Sequence, residues 1–154
     1  MSNRTKWGWA VDAVFPPNLR KLIVMTFEAC ALVLLGGFFG GISRFFVSGF
    51  VGRRIGETFP WGTLVVNVSG ALVIGALAGL ASSRGSAFGE ETFRDLAFIG
   101  FLGGYTTVSS FALQTLNLAL DGQGLQAAMN AILSAGLCVA AVGAGFSAAV
   151  RLLA

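Results

Sequence analysis

The 154-residue chain contains no histidine and two cysteines, Cys30 and Cys138, each alone in a separate apolar run. Ligation of a metal by soft side chains therefore lacks its ligands, and a disulfide between thiols in different apolar runs is not expected. Charge is scarce too, at 11% of residues against roughly 25% in soluble domains. The net charge of +3 is dispersed over segment ends, so no basic stripe for a nucleic-acid partner forms. What is abundant is apolar: 55% hydrophobic residues, 22 glycines and a mean hydropathy of +0.80 point into a bilayer. No His, Cys or paired-carboxylate constellation suggests an enzyme.

Four apolar runs, at 23–50, 61–83, 95–120 and 124–152, each reach or exceed the roughly 20 residues that cross the hydrocarbon core. They define a four-helix membrane domain over 23–154, an all-α fold class. Residues 1–22 precede it, with Arg4, Lys6, Trp7, Trp9, Arg20 and Lys21 around Pro16-Pro17. Trp beside Lys and Arg marks a headgroup-level segment, turning at the prolines. A cleaved signal is disfavoured, because the run after Lys21 contains Glu28, continues well past the usual length of about 7–15 residues and lacks a small-residue cleavage site. Connections carry turn and charge signals at Gly52-Arg53-Arg54-Ile55-Gly56-Glu57, at Ser82-Ser83-Arg84-Gly85-Ser86 and at Asp121-Gly122-Gln123-Gly124. With four crossings both termini share a side. Arg4, Lys6, Arg20, Lys21, Arg84, Arg94 and Arg151 lie there against Arg53 and Arg54 opposite, which predicts cytoplasmic termini.

Every run carries a polar exception: Arg44, Asn67, a glycine and hydroxyl cluster, then Asn130 and Ser134. Residues four apart share a helix face, so Arg44 joins Gly36, Gly40 and Ser48, and Asn67 joins Ala71, Gly75, Gly79 and Ser83. Small stripes are where membrane helices approach closely, which turns Arg44 and Asn67 toward protein. Asn67 also suits plain interhelical glue, Arg44 can snorkel to an interface, Phe111 can be packing, and Glu28 fits a headgroup-level residue.

The third run is the unusual one. Gly100, Gly103 and Gly104 each cost a helix about 1 kcal/mol relative to alanine, and hydroxyls come next at Thr106, Thr107, Ser109 and Ser110. A break is predicted there. Irregular backbone survives at membrane depth only where protein or a water-filled path covers it, so the break suggests a site.

The motifs Gly36-Gly37-x-x-Gly40-Gly41-x-x-Arg44-Phe45, Trp61-Gly62-Thr63-Leu64-x-x-Asn67-x-x-Gly70 and Gly100-Phe101-x-Gly103-Gly104-x-Thr106-Thr107-x-Ser109-Ser110-Phe111 occur in that order. Over roughly 34–151 the chain resembles the Fluc/CrcB fluoride channel family. The resemblance implies a four-helix subunit with a broken third helix, paired as an antiparallel, dual-topology dimer in the bacterial inner membrane. It implies two fluoride pores and a sodium ion at the dimer centre, held by main-chain carbonyls that fall here at Gly103 and Thr106. The pore asparagine then corresponds to Asn67, the hydroxyl track to Ser109 and Ser110 beside Thr107, the second pore phenylalanine to Phe111, and the first-helix arginine to Arg44. Val108 departs from the family's usual phenylalanine, leaving half of the aromatic box to a replacement or to a partner. The family's fourth-helix tyrosine has no clear counterpart, Asn130 and Ser134 being the polar residues available.

These residues suit passive, proton-independent fluoride export: neutral donors replace the hydration shell at several weak sites, and the ion still leaves. The positive edge of the Phe111 ring adds to them. Two rivals differ in what they need. A dual-topology, proton-coupled exporter would depend on Glu28. A non-conducting or heterodimeric paralogue would need an oppositely oriented partner, and both Val108 and the basic bias between the two sides suit it.

Overall fold

The computed structural model describes residues 17–56, 58–82 and 90–153, so the expected headgroup segment lies mostly outside the described residues. Helix α1 runs from Pro17 to Ile55, continuous through the glycine pairs at 36–37 and 40–41. It starts at the second proline, since proline is tolerated in a first helical turn where its missing N–H has no partner to lose. At the other end α1 extends past the expected boundary near 50. Arg53 and Arg54 occupy its last turn, where cations complement the helix dipole, and Gly56 stops it in a left-handed conformation (φ 107°).

Helix α2 spans Trp61–Ala81 and begins directly after Pro60. The third crossing is composite. A short α3 (Glu91–Phe93) leads into α4 (Arg94–Leu102), which is π-helical, then α5 (Gly103–Tyr105), two extended residues and α6 (Val108–Leu120). A tight turn comes next, with Gly122 at φ 76°, Gln123 N–H on the Leu118 carbonyl (2.9 Å) and Gly122 N–H on that of Ala119 (3.2 Å). This pair of reverse bonds ends α6 and lets α7 (Gly124–Leu153) return antiparallel.

Glycine decides the packing. A Cβ on Gly104 would stand 2.6 Å from the Gly37 carbonyl, and one on Gly36 would stand 2.7 Å from the Phe101 nitrogen, so α1 lies backbone to backbone on α4 and α5. Gly75, Gly79 and Gly145 do the same between α2 and α7. Both stripes expected from the sequence are therefore helix contacts.

The interior is thin: among the described residues Val66 and Asn130 are the largest side chains fully withdrawn from the surface, whereas Phe45 is 85% exposed and Val139 75%. Apolar exposure on that scale suits hydrocarbon, not water. The four crossings are each long and apolar enough to span a bilayer, which makes the chain a multi-pass membrane protein.

Candidate functional site

The break falls at Thr106 and Thr107, whose backbones are extended (ψ 157° and φ −149°). This lies within the glycine and hydroxyl stretch expected from the sequence, at its hydroxyl end, for Gly100, Gly103 and Gly104 are all helical. The reason is steric. Gly100 and Gly104 are small so that α1 can touch them, and that contact outweighs their weak helix propensity.

The bonds that replace the lost helical ones define the site. The Thr107 N–H donates to Asn67 Oδ1 (2.8 Å) and Asn67 Nδ2 donates back to the Thr107 carbonyl (3.0 Å). One carboxamide thus satisfies both backbone groups of the residue that a helix would have paired. Thr107 also caps α6, its Oγ1 accepting from the Ser110 N–H at 3.1 Å. The carbonyls from Gly103 to Thr106 all lose the amide four residues on, and for two of them the lost amide can be traced to another partner. The amide four residues after Gly103 belongs to Thr107 and goes to Asn67, and the amide four residues after Thr106 belongs to Ser110 and goes to the cap.

Hydroxyl hydrogens can be assigned in turn. Thr107 Oγ1 donates to Ser110 Oγ (3.1 Å), so the contact between Thr107 Oγ1 and Ser109 Oγ (3.2 Å) has Ser109 as donor. Ser110 keeps its own hydrogen. It lines a cavity of about 380 Å³ with Arg44, Ser48, Thr63, Val66 and Thr107. Ser109 is not among the residues lining this cavity or the next.

A second cavity, of about 430 Å³ and mostly apolar, lies across the break, lined among others by Asn67, Gly103, Thr106, Val108, Phe111 and Ser134. Thr107 is the residue common to the linings of both cavities. Val108 and Phe111 share a wall as their spacing predicts, but Ser110 and Arg44 stand on the other side of Thr107. Val108 is 79% exposed within this chain.

The chain belongs to the CrcB family. Residues 31–146 match the family described as CrcB-like protein, Camphor Resistance (CrcB). The chain is similar to "Fluoride-specific ion channel FluC 3" of Brucella suis biovar 1, 62% identical over 122 residues, covering 79% of this chain and 92% of the relative. It is also similar to "Fluoride-specific ion channel FluC 2" of Bradyrhizobium diazoefficiens, 52% identical over 114 residues, with 74% and 83% covered. A third relative, "Fluoride-specific ion channel FluC" of Rhodospirillum rubrum, is 48% identical over 118 residues, with 77% and 92% covered.

In this CrcB chain two further polar arrangements join residues whose partners the sequence did not show, although Asn130 and Ser134 stood out as polar. Asn130, 2% exposed, donates to Thr115 Oγ1 (2.8 Å), which donates to the Phe111 carbonyl (2.7 Å). Its Oδ1 faces the Ser134 hydroxyl at 3.4 Å, so Asn130 ties α7 to the backbone of Phe111. The Tyr105 hydroxyl meets Ser69 Oγ at 2.9 Å. A tyrosine in an apolar crossing was the available signal for that pair.

Proposed function

We propose that this CrcB-family chain is one subunit of a passive, fluoride-selective channel in the bacterial plasma membrane, releasing fluoride from the cytoplasm and so relieving its toxicity. The observation that carries the reading is the Asn67–Thr107 amide pair, standing between two cavities whose lining is uncharged apart from Arg44. Fluoride is small and strongly hydrated, so a selective path must offer compensating donors at close range. Arg44 raises the local anion concentration on one side. The free hydrogen of Ser110 and the second Nδ2 hydrogen of Asn67 then replace water beside Thr107. Beyond the break, the positive ring edge of Phe111 continues the path through apolar walls. Neutral donors bind weakly enough to release the ion, and the membrane potential drives it outward by about 2.3 kcal/mol per 100 mV.

The carbonyls of Gly103 and Thr106, stripped of their helical amides, fit a hard monovalent cation, for which oxygen donors without side-chain charge are suited. A sodium ion there, at the centre of an antiparallel pair of subunits, would supply a fixed positive charge that joins the two broken helices. The reading assigns no catalytic residue. Glu28 is exposed and lines none of the cavities described, which speaks for a channel over an exporter coupled to that carboxylate. The exposed Val108 leaves room for a ring from a second subunit, whether a copy of this chain or an oppositely oriented paralogue.

Purified protein in liposomes loaded with fluoride or chloride, followed with ion-selective electrodes, tests the proposal. Rapid release of fluoride alone, kept in Glu28→Gln and lost in Asn67→Asp, is expected. Equal release of both halides, or loss in Glu28→Gln, overturns it.

A further inference from the structure

Tyr105 is the only tyrosine in a chain with 14 phenylalanines, and its ring lies parallel to Phe101 at 6.1 Å. Packing alone would be served by another phenylalanine. A phenol in apolar surroundings is retained where its hydroxyl has a partner. That partner is Ser69 at 2.9 Å, and because Ser69 Oγ donates its own hydrogen to the Val66 carbonyl (3.1 Å), Tyr105 is the donor.

Position gives the bond its meaning. Asn67 and Ser69 of α2 meet Thr107 and Tyr105 respectively, so two side chains on one helix grip the chain before and after Thr106. On the opposite side α1 touches the same segment, a Cβ on Gly40 standing 2.9 Å from the Tyr105 nitrogen. Helix α5 is one turn long, comes after a π-helical stretch and contains two glycines, so its setting depends on what α1 and α2 hold. Asn67 alone would be a single anchor on the far side of the break. With Ser69 and Tyr105, α2 bonds the chain on both sides of Thr106.

We propose that Tyr105 and Ser69 are a positioning pair whose hydroxyl bond holds α5 so that the Gly103 and Thr106 carbonyls stay presented to a cation. The inference rests on the cation reading under Proposed function. It assigns Tyr105 no contact with fluoride or with the ion.

The test uses the full chain in liposomes and in detergent, as wild type, Tyr105→Phe, Ser69→Ala, the double variant and Ser69→Thr. Two quantities are followed: the sodium concentration for half-maximal fluoride efflux, and the rise in melting temperature on adding sodium. Each single change should raise the half-maximal sodium by about three- to ten-fold, the span of one net hydrogen bond. The double variant should add nothing to either single, Ser69→Thr should restore the wild-type value, and efflux at saturating sodium should fall less than the affinity does. Lower melting temperatures with unchanged sodium dependence, or additive effects in the double variant, would reduce the pair to packing and overturn the proposal. A wild type whose stability and efflux both ignore sodium would overturn the cation reading itself, and this inference with it.

Discussion

Asn67 and Thr107 carry the largest electrostatic stake for single residues. Asn67→Asp removes the Nδ2 donor and sets a carboxylate against the Thr107 carbonyl and the anion path, so fluoride efflux is expected to fall by at least about ten-fold, the equivalent of one charged-group hydrogen bond. Asn67→Leu should cost more in stability, because it strands the N–H and the C=O of Thr107, at about 1–3 kcal/mol for each buried group left unpaired. Thermal unfolding in detergent separates the two. The serines divide differently: Ser110→Ala removes a hydroxyl hydrogen beside Thr107 at the Arg44 cavity, whereas Ser109 gives its hydrogen to Thr107. Efflux should therefore fall clearly in Ser110→Ala and little in Ser109→Ala. The importance of Asn67 was legible from its uncharged amide in an apolar run. That the amide would seal a backbone break forty residues away was not, since no local pattern encodes which helix it meets.

Among the elements, the third crossing shows where within a glycine and hydroxyl stretch a helix breaks. Gly100 and Gly104 are spacers for α1, and the chain departs from helix where Thr107 can cap α6 and Asn67 can satisfy the backbone groups freed between α5 and α6. Gly104→Ala should thus be disruptive, its Cβ meeting the Gly37 backbone at 2.6 Å, with a loss of about 1–3 kcal/mol from overpacking. Gly41 lies in the same stretch of α1 yet has nothing within 4 Å of a Cβ. Gly41→Ala should gain about 0.5–1 kcal/mol of helix stability. Paired melting curves of the two variants check this, and equal losses would refute the packing described. The small-residue stripes on α1 and α2 were readable from four-residue spacing. Their assignment to partners, α1 to the third crossing and α2 to α7, was not, because one glycine stripe fits against another without specifying it.

For the whole molecule, the surface is as informative as the interior. Phenylalanines at 38, 39, 45, 46 and 50 are exposed along α1, and hydrocarbon covers such a surface without penalty. Proton-independent conduction is expected from the composition: with no histidine, and Arg44 as the single ionisable side chain beside the Ser110 cavity, fluoride efflux should stay flat between about pH 6 and 8, where histidine would titrate. A bell-shaped or stepped profile in liposomes would point to a titrating group in the path. C-terminal reporters active on opposite sides of the membrane test the assembly. Signal on both sides is expected of an antiparallel homodimer, and signal on one side alone would require a partner of opposite orientation, as the basic bias suggests.

Hydropathy, charge placement and three ordered motifs determined the number of crossings, the membrane setting and the family, because each of these is written in residues close along the chain. The tertiary structure decided where the helix stops, which carbonyls lose their amides, and that Thr107 borders two cavities. Those outcomes depend on hydrogen bonds and backbone contacts between segments far apart in sequence, where the partner sets the conformation as much as the residue does.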